Sequence, residues 1–173
     1  MHIVEVLLSS VTLIGLVMTW QHYNARWLFL ILISVQSIEA TVKPIAIQWT
    51  QHYYLWLLFA NILYLLLLLT RSVLARKLHK ASGLNFFKLA GENYSLTVPE
   101  CAYYVLALVS MILCGTQWIE IQLYYYEILD YPFIYHHVWV PVMYALHVLQ
   151  SLSLITYIFV IKRTQGTLQY ENN

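Results

Sequence analysis

The chain has 173 residues, of which 61% are hydrophobic and only 10% charged. A soluble domain carries roughly 25% charged residues, and a water-facing surface cannot be built from a set this poor in charge. A formal net charge of +1, with no dense basic cluster, offers nucleic acid no footing; the partner that composition implies is the lipid bilayer.

Several apolar runs approach the ~20 residues an α-helix needs to cross the hydrocarbon core. Runs such as "ILYLLLLL" show none of the alternation of barrel strands. The expected fold is therefore an all-α membrane protein, one integral membrane domain over 1–173 built as a five-transmembrane-helix bundle.

The first span is expected at about 3–21. Its run has no positive n-region and no small-residue cleavage site, and Glu5 is the ionised side chain that precedes it. It reads as a retained helix rather than a signal peptide. The second span, about 27–48, follows the turn "QHYNAR", and the third, about 53–71, follows "QWTQH". Turns this short predict that spans one to three are antiparallel neighbours. Nothing in "RSVLARKLHK" breaks a helix before Ser82-Gly83, so the third span is expected to run on into it. The segment "LNFFKLAGENYSL" clusters Leu84, Phe86, Phe87 and Leu89 beside Lys88. It reads either as an amphipathic piece in the membrane interface or as an ordinary loop. "TVPE" fits a capping box from Thr97 to Glu100 with Pro99 in the first turn, which starts the fourth span, about 100–119, near Val98. The fifth span is expected at about 138–161. Cys101 and Cys114 on one helix would stand about 20 Å apart, too far for a disulfide.

Sidedness follows from Lys and Arg, which favour the cytoplasmic face. Arg26, then Arg71, Arg76, Lys77, Lys80 and Lys88 at and within the 72–99 connection, then Lys162 and Arg163, all fall on one side of a five-span chain. The N-terminus, the "QWTQH" turn and the 120–137 connection contain no Lys or Arg. The expectation is an external N-terminus and a cytoplasmic C-terminus, with a cell inner membrane as the multi-pass location that compactness suggests. Trp49, Tyr53 and Tyr54 flank one outer turn; Trp118, Tyr124 and Trp139 are among those flanking the other. Aromatic side chains concentrate at headgroup level in this way.

The second span is interrupted by "VQSIEATVKP". At 100° per residue, Gln36, Glu39, Ala40 and Lys43 share one face. Ser34, Ser37 and Thr41 form a neighbouring small-residue face that lets another helix come close. Glu39 and Lys43 are spaced i, i+4, in the order that favours an ion pair. An isolated charge at the bilayer centre costs at least ~2.5–3.5 kcal/mol. Lys43 lies about one turn from the outer interface and can snorkel to it, whereas Glu39 cannot. Counting inward from the outer ends places Thr12, Asn61, Ser110 and His147 at the depth of Glu39, about 15 Å. On the fifth span His137, Tyr144, His147 and Ser151 share one face, with Pro141 at its edge. The candidate intramembrane site is thus a polar layer of Gln36, Glu39, Lys43, Asn61, Tyr144, His147 and Ser151, with Glu39 and His147 its titratable members. Such a layer also reads as interhelical hydrogen bonding, worth about 0.6 kcal/mol per bond. Glu39 favours a function, because Ser or Asn would supply that bonding at lower cost.

A second constellation faces outward: His2, His52, His136 and His137 at the predicted external edge, near Glu5, Glu127 and Asp130. Imidazole suits zinc, copper or haem iron, but no H-x-x-x-H spacing ties these ligands together. Haem or metal is therefore the minor expectation and no cofactor the main one. There is no G-x-S-x-G, H-E-x-x-H or Gly-rich phosphate loop, so no enzyme is expected. Three functions are in view. The first is a non-enzymatic membrane subunit that assembles with itself as a homo-oligomer, or with other membrane proteins, through its polar layer. The second is an ion- or proton-conducting or transport element using Glu39 with His147. The third is a haem- or metal-binding redox subunit.

Overall fold

The computed structural model describes the backbone of residues 2–171 apart from 93 and 95, and the side chains within 3–163 of that range. Among the described residues the regular structure is helical. In chain order the elements are α1 (His2–Met18), α2 (Tyr23–Ala46), α3 (Tyr53–Leu69), α4 (Arg71–Ser82), α5 (Asn85–Glu92), α6 (Val98–Tyr125) and α7 (Trp139–Glu171), the last entered through a π-helical turn at Ile134–Val138.

Five long helices close a ring in which α1 packs on α2 and α7, α7 on α6, and α6 on α3. The contact between α2 and α3 is sparse. Spans one to three, expected as antiparallel neighbours, are in contact in chain order, but a short turn fixes proximity at one end only, and the main partner of α3 is α6. The ring is inside-out by soluble standards. Val17 is 73% exposed, Leu63 59% and Phe159 66%, a display of outward apolar side chains that a water-soluble monomer avoids.

Three helical stretches, Tyr23–Ala46, Val98–Tyr125 and Ile134–Arg163, are long and apolar enough to cross a membrane. The pair α3 and α4 makes a fourth if counted as one broken span, and α1, at 17 residues, is slightly shorter. The eight Lys and Arg residues other than Lys43 lie in the first turn of α2, in the short helices α4 and α5, and in the C-terminal part of α7, which together make a basic pole of the ring.

The third helix does not run on. Between α3 and α4 the axis turns by 73° at Thr70. The Thr70 hydroxyl donates to Leu66 O at 2.6 Å, the same carbonyl that accepts the Thr70 backbone N–H. Such back-bonding bends helices, and the bend delivers Arg71 into the interior. The capping box at "TVPE" is also absent. Helix α6 does begin at Val98, but Thr97 makes no capping bond and the Glu100 carboxylate is engaged elsewhere. The segment after Gly83 is a helix, and its apolar side is used within the protein. The Phe87 ring packs edge-on against Trp27, with centroids 5.2 Å apart, and Phe86 lies under the Arg26 guanidinium at 4.2 Å. Much of the expected 120–137 connection is helical, because α6 continues to Tyr125. Glu120 then accepts the backbone N–H groups of Ile134 and Tyr135 at 2.7 and 2.9 Å. That contact places a carboxylate on the free amides of an incoming helix.

A polar cleft between the five long helices

The gap between α2 and α3 opens into a cleft of about 160 Å³. Its rim lies at the end remote from the basic pole, where Glu5, Lys43 and Tyr53 stand. Its floor is the pair Tyr64 and Tyr103, whose hydroxyls share a hydrogen bond. Between them, Gln36 and Glu39 project from α2, Asn61 from α3, Ser110 and Cys114 from α6, and Met143, His147 and Gln150 from α7. Antiparallel helices joined by short turns share a depth scale, which is why residues counted to one level from separate ends meet here.

Hydrogen-bond bookkeeping gives the cleft its character. Gln36 donates its Nε2 to Thr12 Oγ1 at 3.2 Å, and that hydroxyl donates to Leu8 O at 2.7 Å. Asn61 donates its Nδ2 to Leu57 O at 2.8 Å and reaches Cys114 Sγ at 3.6 Å. His147 Nδ1 is 2.7 Å from Met143 O. A carbonyl can only accept, so Nδ1 carries hydrogen. The amide N–H groups of Asn61 and the Nδ1–H of His147 are thus spent on the protein, Gln36 keeps one amide N–H, and the side-chain oxygens of Gln36 and Asn61 remain as acceptors. Ser110 (3% exposed) and Gln150 (6%) line the cleft, and neither makes a side-chain hydrogen bond among the described residues.

Lys43 departs from expectation. Its Nζ lies 2.7 Å from both carboxylate oxygens of Glu5 and does not pair with Glu39. The reason is tertiary: α1 runs antiparallel beside α2 and brings Glu5 to the level of Lys43, where one ammonium can engage both oxygens. Glu39 is left with no ion pair or hydrogen bond among the described residues. It stays accessible because it faces the open cleft.

Two predicted members of the polar layer lie elsewhere. Tyr144 is 47% exposed on the outer side of α7. Ser151 is buried, donates to His147 O at 2.8 Å and is not part of the lining. The inward stripe of α7 is Met143, His147 and Gln150, about 80° round the helix from the face proposed on sequence grounds. The small-residue face of α2 also lacks the expected neighbour. Ser34, Ser37 and Thr41 are exposed, and the hydroxyls of Ser34 and Thr41 turn back to Leu30 O and Ser37 O.

The outer histidines do not converge. His52, His136 and His137 are exposed; His136 stacks on Tyr131 and His137 Nε2 lies 3.1 Å from the Tyr131 hydroxyl. The side chain of His2 lies outside the described residues. Among the described residues no group of three or more His, Cys, Asp or Glu is placed to hold a metal ion.

Sequence reasoning missed a buried ion pair below the cleft. Arg71 and Glu100 meet there with side chains 0% and 1% exposed. Tyr104 donates to Glu100 at 2.7 Å, the Arg71 guanidinium lies 4.8 Å from the Tyr94 ring centre, and Trp27 Nε1 donates to Arg71 O at 3.0 Å. The signal was available: Arg71 closes one apolar run and Glu100 opens the next, so counting from the inner ends pairs them. The chain matches no family model, and no curated protein or solved structure is significantly similar to it.

Proposed function

We propose that this chain is a five-span protein of a cell inner membrane, with an external N-terminus and a cytoplasmic C-terminus, and that it admits a solute or ion to the cleft as a transport or conducting element. The observation that carries the reading is Glu39, a carboxylate facing an accessible cleft without a protein partner among the described residues. A carboxylate inside a membrane is expensive unless something compensates it, and here the neighbouring Lys43 is taken by Glu5. The five-span topology is supported by the apolar outer faces and by the basic pole, with α1 and α3 as spans of 17 residues each, the short end of the spanning range. The reading is non-enzymatic.

The decisive experiment compares wild type with Glu39→Gln in sealed proteoliposomes, following proton and cation flux with entrapped dyes. Flux in wild type that is lost in a normally folded Glu39→Gln supports the reading. No flux in wild type, or equal flux in both, overturns transport through Glu39. A cysteine at position 125 should label from outside intact cells and one at position 80 should not; the reverse pattern overturns the orientation.

Assembly with itself or with other membrane proteins is the second reading, favoured by the exposed small-residue face of α2. Cross-linking through a cysteine at Ser37 in native membranes tests it. A specific cross-linked species supports assembly, and a monomer at all cross-linker concentrations counts against it.

A further inference from the structure

We propose that the occupant of the cleft is a small organic cation, an ammonium group carried on an apolar body about the size of one aromatic ring. The proposal rests on the reading of the cleft as a solute site and gives that solute a chemistry.

Charge comes first. The acidic and basic groups that face the cleft are Glu5 on α1, Glu39 and Lys43 on α2, and His147 on α7; α3 and α6 contribute tyrosines and Cys114. Lys43 and Glu5 neutralise one another at the rim. That leaves Glu39 as the carboxylate of the cleft with no ion pair or hydrogen bond among the described residues. An anion would meet this carboxylate with no free cation to offset it, and a neutral solute would leave the carboxylate uncompensated.

Hydrogen bonding points the same way. One amide N–H of Gln36, the amide N–H groups of Asn61 and the Nδ1–H of His147 are engaged with Thr12, with Leu57 and Cys114, and with Met143. The remaining side-chain oxygens of Gln36 and Asn61 suit a ligand that brings its own N–H groups. Gln150 and Ser110, both more than nine-tenths buried on the lining and without a side-chain hydrogen bond among the described residues, add polar atoms awaiting a partner.

Shape separates an organic cation from a bare metal ion. A hard cation such as calcium takes six to eight oxygen ligands, and no cluster of three acidic, His or Cys side chains exists among the described residues. The lining is instead rich in rings, with Tyr53, Trp56, Tyr64, Tyr103 and Trp139 around it. Aromatic faces attract ammonium groups. The volume of about 160 Å³ is close to that of engineered protein cavities, on the order of 150 Å³, that take up benzene. An ammonium directed at Glu39, with a ring-sized body against Leu57, Trp139 and Met143, satisfies all three constraints.

The test uses the full chain in lipid nanodiscs and isothermal calorimetry with three size-matched probes: benzylammonium, benzyl alcohol and benzoate, with empty nanodiscs subtracted for partitioning. Saturable binding of benzylammonium is expected, about tenfold or more tighter than benzyl alcohol, with benzoate weakest. In Glu39→Gln, benzylammonium should fall to the level of benzyl alcohol, whose own binding stays unchanged. If that variant does not fold, the ranking of the three probes on wild type decides alone. Equal binding of benzylammonium and benzyl alcohol overturns cation recognition while leaving a solute cleft. Displacement of benzylammonium by sodium or potassium at matching concentration overturns an organic occupant in favour of a bare ion. No saturable binding of any probe overturns both the cation and the solute cleft.

Discussion

Two interhelical ion pairs, Arg71 with Glu100 and Lys43 with Glu5, have opposite surroundings. At the basic pole Arg71 and Glu100 are sealed, with 0% and 1% of their side chains exposed. Around them Phe29, Leu32, Leu68 and Tyr157 are all within 1% of full burial. At the other end Lys43 and Glu5 are 25% and 30% exposed on the rim of an open cleft. The contrast teaches that pairing alone does not mark a site. The sealed pair consumes its own charge to hold α3, α4 and α6 together. The rim pair turns the Lys43 ammonium onto Glu5 and leaves Glu39 without a hydrogen bond or ion pair among the described residues.

The sharpest way to break this comparison is to remove one member of each pair. Arg71→Ala strands Glu100 in the interior and should cost about 3–5 kcal/mol, read as a large loss of thermal stability in detergent. Replacing both residues, Arg71→Met with Glu100→Met, should recover most of that loss, because a buried pair exchanged for apolar groups is often neutral. A double variant as unstable as the single one would show that the pair contributes more than mutual neutralisation.

Packing offers a second comparison, through two glycines. A Cβ on Gly15 would stand 2.4 Å from the Phe29 ring, at the tight interface of α1 and α2. A Cβ on Gly115 would meet Leu58 methyls at 3.7 and 3.8 Å, ordinary contact between α6 and α3 in the half that holds the cleft. Gly15→Ala should therefore cost about 1–3 kcal/mol, the usual penalty of overpacking. Gly115→Ala should be tolerated within about 0.5 kcal/mol. Equal losses of melting temperature in the two variants would remove the distinction between a sealed half and an open one.

At the rim, Lys43→Met should cost no more than about 1 kcal/mol, since partly exposed pairs contribute little. Its effect on the cleft should be larger than its effect on the fold. Without the ammonium, Glu5 and Glu39 both face the cleft, so binding of benzylammonium should strengthen severalfold while the melting temperature barely moves. Weaker binding in this variant would mean that Lys43, not Glu39, orients the occupant.

These particulars show what could be read in the sequence and what could not. Apolar runs located the long helices, and of the residues that counting from the outer ends put at one depth, Glu39, Asn61, Ser110 and His147 line one cleft while Thr12 lies behind Gln36, because depth along antiparallel helices is a linear quantity. Rotation about an axis is not fixed that way: α7 carries polar residues on more than one side, so nothing local distinguishes Tyr144 from Gln150 as the inward residue. The partner of Lys43 depended on which helix lies beside α2, and Glu5 is 38 residues away in sequence. The bend at Thr70 was hidden because threonine is tolerated within helices, and it bends this one through a local hydroxyl bond together with the burial of Arg71 beyond it.

The smallest expected effect tests that rotation. Tyr144 lies on the outer side of α7 and Gln150 on the cleft side, although both are polar and close in sequence. Tyr144→Phe removes only a hydroxyl from an exposed face, so stability should change by less than about 0.5 kcal/mol and probe binding not at all. Gln150→Leu, of similar volume, should leave stability comparably unaffected, because the amide has no side-chain hydrogen bond to lose among the described residues. It places an apolar group against the cleft, however, and should weaken benzylammonium binding severalfold while sparing benzyl alcohol. If Tyr144→Phe proved the more damaging of the two for binding, α7 would present its other face to the interior, and the polar layer would have to be redrawn around Tyr144 and Ser151.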